Sequence, residues 1–205
     1  TVPNVAPPSS DSATPDNGVL PLDTSVFGAG TEYRVRVVLS NGTVLASGDF
    51  AVDNTAPVTV LTSPMGSEIL GLSSIITWTT TDVHPGTVEL RLSSDDGGNY
   101  DYVVAAATPD DSEYSWDTSA LVDGVQYRVQ VIAVDRGANE GLPSRSPQSF
   151  QIDVTPPVIQ LTSPTGGESW SGLRSITWTT TDSNPGTVAL TLSSDSGAAF
   201  DGTID

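Results

Sequence analysis

The chain repeats itself with a period of one hundred residues. The sequence Ile-Thr-Trp-Thr-Thr-Thr-Asp at 76–82 recurs at 176–182, and Leu-Thr-Ser-Pro at 61–64 recurs at 161–164, with no insertion or deletion between them. A solenoid unit is shorter, roughly 20 to 50 residues, whereas a period of this length corresponds to a whole small domain. The sequence therefore indicates part of a tandem array of domains of about 100 residues.

The copies do not begin and end with the chain. Residues 1–54 match the second half of the unit, since Tyr-Arg-Val at 33–35 recurs at 127–129, and the segment before Phe50 is six residues shorter than in the next copy. These half units are either a window cut from a longer repeat protein, or they complete one another between chains. The predicted regions are the C-terminal half of one repeat (1–54), a complete repeat (55–154) and the N-terminal half of a further repeat (155–205). By their place in the chain we call them the N-terminal half unit, the central unit and the C-terminal half unit.

The central unit consists of short β-branched and alternating segments separated by Gly, Pro, Asp and Ser. Alternation over residues 87–92 places Val88, Leu90 and Leu92 on one face of a strand. About seven such strands, and no segment with a sustained helical period, predict an all-β antiparallel β-sandwich. The predicted strands cover residues 58–61, 74–80, 87–92, 100–105, 114–116, 125–134 and 149–153.

Two sequence features resemble immunoglobulin-like and fibronectin type III-like modules. The segment 121–127 resembles their tyrosine corner, in which a Tyr hydroxyl bonds to the backbone upstream, and Tyr33 is its counterpart in the first copy. Trp78 and Trp178 are similar to the core tryptophan on the second strand of such modules. The resemblance implies tandem immunoglobulin-like or fibronectin III-like antiparallel β-sandwiches of about 100 residues per repeat.

The segments 163–170 and 133–139 resemble tandem repeats of large secreted surface proteins of bacteria and archaea. This resemblance implies an extracellular or cell-surface location. The composition agrees with it, because Ser, Thr, Gly, Ala and Val dominate and Lys is absent. The chain also carries no cysteine. The absence of cysteine also excludes disulfides and thiolate metal sites in these residues.

The charge excludes two classes of partner. There are 25 acidic residues against 7 basic ones, for a net charge of −18. Binding to nucleic acid or to an anionic membrane surface needs clustered Lys and Arg, so neither is expected. No apolar run reaches the roughly 18 residues that a membrane-spanning helix needs, so no membrane insertion is expected in this segment.

Catalysis has little chemistry available, and we predict that the chain is not an enzyme. Its single histidine, His84, is Asn184 in the next copy, which favours a solvated loop residue over a catalytic base. No nucleophile elbow, phosphate-binding loop, zinc or haem motif accompanies it. Trp116 and Trp170 are replaced by leucine in other copies, which favours buried core positions over a sugar-binding platform. No cofactor is expected with certainty.

Calcium is the one cofactor that the pattern suggests. The entry linker and the loops after the second and sixth predicted strands should meet at one pole of a sandwich whose successive strands run up and down. Carboxylate and amide oxygens suit Ca²⁺, although the same residues could simply cap turns. The candidate ligands are Asp53, Asn54, Asp82 and Asp135 around the central unit, and Asp153 and Asp182 at the next junction.

Asn41, in the sequence Asn-Gly-Thr, forms a sequon for N-glycosylation. The Asn-Gly pair is also common in tight turns, so both interpretations remain open.

The function predicted from the sequence is that of a structural segment in an extracellular stalk, filament or surface-layer protein. Its expected partners are neighbouring repeats of the same protein or identical subunits assembled head to tail. Prolines in the linkers at 53–57 and 153–157 should restrict the junctions. The alternative is an adhesin or accessory binding module of a secreted protein that recognises glycans or a host surface.

Overall fold

In a computed structural model, residues 18–204 are described, apart from the side chain of Val125. Residues 1–17 and Asp205, which belong to the two predicted half units, lie outside the described residues. The regular secondary structure of residues 18–204 is entirely β-strand. No helix in that part of the chain is long and apolar enough to cross a membrane.

The N-terminal half unit forms two antiparallel strand pairs, β1 with β4 and β2 with β3. Tyr33 on β1 pairs with Phe50 on β4, as Tyr127 pairs with Phe150 in the central unit. The sequence alignment between these two copies is therefore also a structural one. The strands are β1 (Gly30–Tyr33), β2 (Arg36–Val38), β3 (Val44–Ala46) and β4 (Phe50–Val52).

The central unit is a β-sandwich with two sheets. One sheet has the order β10-β7-β5, and the other has the order β6-β13-β11-β8-β9, with β12 paired to β11. The chain crosses between the two sheets several times, and the core lies between them. The strands are β5 (Val58–Ser63), β6 (Ile69–Leu70), β7 (Ser73–Thr81), β8 (Thr87–Ser93), β9 (Tyr102–Pro109), β10 (Glu113–Asp117), β11 (Gly124–Val134), β12 (Ser144–Arg145) and β13 (Phe150–Ile152).

Alternating residues supply this core, as the sequence predicted. Val88, Leu90 and Leu92 on β8 are each at most 1% exposed. On the neighbouring strand β11, Val129 and Val131 pair with Leu92 and Leu90 and are fully buried. Both strands therefore turn the same period-two face inward. The remaining core residues are Leu61, Ile76, Trp78, Trp116, Ala133, Phe150 and Ile152.

Three details of the predicted strands are wrong. The central unit has nine strands rather than about seven, because β6 and β12 are two-residue strands that carry no periodic signal. The strands also do not simply alternate up and down, since β6 pairs in parallel with β13. The predicted strand at 100–105 is displaced, and β9 runs from Tyr102 to Pro109.

Both Tyr127 and Tyr33 form the hydrogen bond of a tyrosine corner. The Tyr127 hydroxyl donates to the carbonyl of Val122 at 2.8 Å. The Tyr33 hydroxyl donates to the carbonyl of Gly28 at 2.7 Å. In each case the bond spans five residues and fixes the turn that enters the strand. The prediction made from the segment 121–127 is confirmed.

Two tryptophans of the central unit lie in its core. Trp78 is 1% exposed and Trp116 is 6% exposed. The buried indole N–H of Trp78 donates to Oδ1 of Asp110 at 2.7 Å, so its one polar atom is satisfied. Asp110 is therefore the hydrogen-bond partner of a core side chain. The core interpretation is confirmed for these two residues.

The C-terminal half unit reproduces the first strands of the central unit, but it does not reproduce their burial. Leu161 pairs with Trp178, as Leu61 pairs with Trp78. Trp178 nevertheless remains 37% exposed and Trp170 43% exposed. The core prediction is wrong for both, because no strand among residues 155–204 covers them. The strands are β14 (Val158–Ser163), β15 (Thr177–Thr181), β16 (Thr191–Leu192) and β17 (Gly202–Thr203).

Candidate metal centre at the linker pole

Three of the predicted ligands meet at one end of the central unit. Asp53 lies in the linker after β4, Asp82 follows β7, and Asp135 follows β11. One carboxylate oxygen from each lies within 4.8 Å of the others. We call this group the Asp53–Asp82–Asp135 cluster. It brings together residues up to 82 positions apart in the sequence (135 − 53).

The topology explains why these loops converge. Val134, at the end of β11, pairs with Thr87, at the start of β8. The short loop after β7 leads directly into β8, so Asp82 lies beside the end of β11. The loop after β11 returns along the linker: a Cβ added to Gly137 would lie only 2.8 Å from the Asp53 carbonyl oxygen. A glycine at this position therefore permits the close approach.

His84 joins the linker to the first of these loops. Its backbone N–H donates to Oδ1 of Asp82 at 2.7 Å. Its Nδ1 lies 2.7 Å from Oδ2 of Asp53. Because an ionised carboxylate can only accept, the imidazole N–H is the donor in this second bond. The interpretation of His84 as a solvated loop residue is wrong, since its side chain is only 23% exposed.

The Asp53 carboxylate is buried by these contacts, and its side chain is 6% exposed. The hydrogen bond from His84, followed by the backbone N–H of Thr55, lowers the pKa of Asp53 below its ordinary value. Asp53 is therefore ionised at neutral pH although it is almost fully enclosed. A buried carboxylate with these donors is a fixed negative charge at the junction.

Asn139 organises the other side of the cluster. Its backbone N–H donates to Oδ1 of Asp135 at 2.8 Å, and its side-chain amide donates to Oδ2 of Asp135 at 2.7 Å. The same amide donates to the backbone carbonyl of Asp53 at 3.0 Å. Sequence reasoning missed Asn139, whose signal was a side-chain amide four residues after Asp135 in the same loop.

Asn54 is directed toward the preceding half unit. Its side-chain amide nitrogen donates to the carbonyls of Thr24 and Phe27 at 2.9 and 3.1 Å. Adjacent linker residues therefore face opposite ways, with Asp53 bonded to the unit that follows and Asn54 bonded to the unit that precedes.

The second junction repeats the arrangement with different residue types. The side-chain amide of Asn184 donates to Oδ2 of Asp153 at 2.8 Å, and its backbone N–H donates to Oδ1 of Asp182 at 2.7 Å. The backbone N–H of Val154 donates to Asp123 of the central unit at 2.7 Å. The exchange of His84 for Asn184 thus keeps a nitrogen donor to the linker aspartate.

The donor set of the Asp53–Asp82–Asp135 cluster fits a hard divalent cation. Each carboxylate oxygen has two lone pairs. Oxygens that already accept one hydrogen bond, such as those of Asp135, can therefore also bind a metal. Ca²⁺ takes six to eight oxygen ligands in flexible geometry, so backbone carbonyls and water would have to complete its coordination here.

Asn41 lies in the exposed turn between β2 and β3. Its side-chain oxygen accepts the backbone N–H of Thr43 at 2.9 Å, and Gly42 adopts a positive φ of 87°. The structure confirms the turn that the Asn-Gly pair indicated. Asn41 is accessible, and its glycosylation stays a prediction.

The two-sheet strand order and the tyrosine corner define the central unit as an immunoglobulin-like or fibronectin III-like β-sandwich. A solved structure of fibronectin(III)-like modules from Clostridium thermocellum CbhA is similar, at 23% identity and a TM-score of 0.32, over 47% of this chain and 95% of that one. An endo-beta-1,4-mannanase from Thermotoga petrophila is similar at 7% identity and a TM-score of 0.33, over 50% of this chain and 21% of the mannanase. No protein-family model and no curated protein sequence matches the chain.

Proposed function

We propose that this chain is a structural repeat segment of an extracellular stalk, filament or surface-layer protein, in which β-sandwiches are joined end to end. The observation that carries the proposal is that each linker forms hydrogen bonds to the unit before it and to the unit after it. In the first linker, Asn54 bonds the preceding unit and Asp53 bonds His84 of the following one. In the second, Val154 bonds the preceding unit and Asp153 bonds Asn184 of the following one.

Such junctions restrict how neighbouring units can turn. A flexible linker would leave its polar groups to water, whereas here the Asp53 side chain is buried against the central unit. Prolines add to the restriction, since Pro57 and Pro157 each fix one backbone angle just before a strand. Semi-rigid linkers favour an extended array over a loose chain of domains.

Several positions that are buried in the core of the central unit are exposed in the two half units, which supports further repeats as partners. Val35 and Val37 are 44% and 57% exposed, whereas their counterparts Val129 and Val131 are fully buried. Leu161 of the C-terminal half unit is likewise exposed, although Leu61 is buried. Each half unit thus presents the apolar face that the other kind of half covers in the central unit. We propose neighbouring repeats of the same protein, or identical subunits, as the partners that cover these faces.

Calcium at the junction is part of this proposal. A cation held by Asp53, Asp82 and Asp135 would offset repulsion among three carboxylates that lie within 4.8 Å of one another. Because Asp53 belongs to the linker and the other two belong to the central unit, the bound ion would also stiffen the connection between units. The surrounding donors already hold these side chains in place, which reduces the entropy lost on binding.

Electron microscopy or small-angle scattering of the full chain tests the structural role. We expect an elongated particle with units about 35–45 Å apart, from about ten residues per strand plus a linker at ~3.3 Å per residue. Joining of half units between chains would appear as longer rods at higher concentration. A compact particle with units packed side by side would contradict the proposal.

A further inference from the structure

The outer face of the second sheet of the central unit carries a polar cavity of about 460 Å³. Arg91, Gln130 and Arg145 form one row across three strands of this face, since Gln130 is the register partner of both arginines. Neighbouring strands lie about 4.8 Å apart, so the two arginine backbones are separated by about 10 Å. The volume is in the range of ligand cavities, roughly 300–1,000 Å³, but the polar lining favours a polar ligand.

Arg145 is held in place while part of its guanidinium remains available. Its Cζ lies 4.8 Å from the centre of the Tyr100 ring. Its Nε donates to the side-chain oxygen of Gln130 at 2.7 Å. Neither contact uses the two Nη atoms, and no carboxylate in the described part of the chain forms an ion pair with Arg145. Its bidentate edge is therefore ordered and free to meet an anion.

Arg91 is held in a similar way on the opposite side of the cavity. Its Nε and Nη2 donate to Oε1 of Glu89 at 2.9 and 2.8 Å. Its Nη1 makes only a long contact of 3.4 Å to the Tyr100 carbonyl. Because Arg91 is already paired with Glu89, it contributes a directed donor rather than a free charge.

The charge balance of the cavity selects among anions. Glu89 and Glu140 line it together with Arg91 and Arg145, so the four charges sum to zero. A dianion such as phosphate would meet two carboxylates without excess positive charge. A single carboxylate surrounded by hydroxyl groups fits better, because the glutamate and glutamine oxygens can accept from those hydroxyls.

This row is specific to the central unit. The C-terminal half unit has Ala189 and Thr191 in place of Glu89 and Arg91, although the inward-facing Leu90 recurs as Leu190. In the N-terminal half unit, Arg36 stands at the position of Gln130. Its register partner on the neighbouring strand is Ala46. The copies keep the residues that form the core and change the outer row, so the row is not a requirement of the fold.

We propose that this face of the central unit binds a uronate-type saccharide. The Nη atoms of Arg145 and Arg91 hold the sugar carboxylate, while Glu89 and Gln130 accept from its hydroxyls. This site lies on the sheet face and is independent of the Asp53–Asp82–Asp135 cluster, so it does not depend on the structural role.

The test titrates the full chain with methyl galacturonoside, which carries a single carboxylate, and follows amide chemical shifts by NMR. Two controls separate the chemistry: the methyl ester of the same uronate lacks the charge, and an end-capped peptide with a single aspartate carries one carboxylate without the sugar. Arg145→Gln removes the free guanidinium, and Arg91→Thr introduces the residue of the next copy. Arg174→Gln removes one positive charge outside the cavity and serves as the matched control.

We expect saturable binding of methyl galacturonoside and a loss of affinity of about tenfold or more in Arg145→Gln and in Arg91→Thr, because each removes a charge-assisted contact. Arg174→Gln should stay within about twofold of the original chain. Circular dichroism verifies that each cavity variant is folded. Because the two variants alter different contacts, a folding defect in one leaves the other to test the proposal. Absence of saturable binding, equal weakening by Arg174→Gln, or equally tight binding of the ester or the peptide would overturn the proposal.

Discussion

The central unit and the C-terminal half unit share one sequence pattern but differ in burial. Strands β5 and β7 pair through Leu61 and Trp78, and strands β14 and β15 pair in the same register through Leu161 and Trp178. Trp78 is nevertheless 1% exposed, while Trp178 is 37% exposed. Local sequence therefore determines the strand pair, and only the opposite sheet turns that pair into half of a core.

The tryptophans provide the largest expected difference between the two regions. Trp78→Ala should lower the free energy of unfolding of the central unit by about 3–5 kcal/mol, because it leaves a cavity in a packed core. In the monomeric chain, where no partner covers its ring, Trp178→Ala should change the stability by less than about 1 kcal/mol. Urea unfolding of the full chain, followed by far-UV circular dichroism, measures both. Equal losses would mean that a second copy covers Trp178 in solution.

The two junctions should differ in their response to calcium. The first has three clustered carboxylates, whereas Asp153 and Asp182 have no third carboxylate beside them among residues 18–204. Excess Ca²⁺ over EDTA should raise the Tm of the chain by about 4 °C or more, as ligand binding to the folded state requires. Asp82→Asn, which keeps an oxygen for the His84 N–H, should abolish this rise.

Asp182→Asn is the matched control, because it makes the same change at the second junction, and most of the calcium effect should survive it. Differential scanning calorimetry with and without EDTA measures the shift. An unchanged Tm for the original chain would exclude calcium at the cluster. An equal loss in Asp182→Asn would show that the two junctions do not differ.

The smallest expected difference concerns acid stability at two equivalent turns. The backbone N–H of Asn99, the Ser93 hydroxyl and the Asn99 side chain lower the pKa of Asp95 from 3.8 to about 2. A lowered pKa in the folded state stabilises the fold above the unfolded value, and this contribution is lost as the pH falls from about 4 to about 2. Asp95→Asn should therefore reduce the loss of stability over this range.

Asp195 is the counterpart with fewer donors. The Ser193 hydroxyl, followed by the backbone N–H of Ala199, lowers its pKa. Ala199 has no side-chain amide to replace that of Asn99, so Asp195→Asn should flatten the acid profile less than Asp95→Asn. Thermal melts at pH steps between about 4 and 2 give both profiles. A larger effect of Asp195→Asn would contradict the assignment.

Much of the fold could be predicted because its signals are local. Alternation over residues 87–92 identified the buried face of β8, and the segment 121–127 identified the tyrosine corner. The convergence of Asp53, Asp82 and Asp135 also followed, since it needed only the ends of strands. By contrast, β6 and β12 were missed because two residues cannot show a period.

The sequence by itself determined the repeat and most of the strands with their alternating apolar faces, because the period of a strand depends on residues close together in the chain. The tertiary structure alone decided that His84 bonds Asp53, 31 residues away. It also decided that Arg91, Gln130 and Arg145 share one row, because that row depends on the register between three strands. The tertiary structure also decided burial. Trp78 and Trp178 have the same neighbours in sequence and differ only in whether a second sheet covers them.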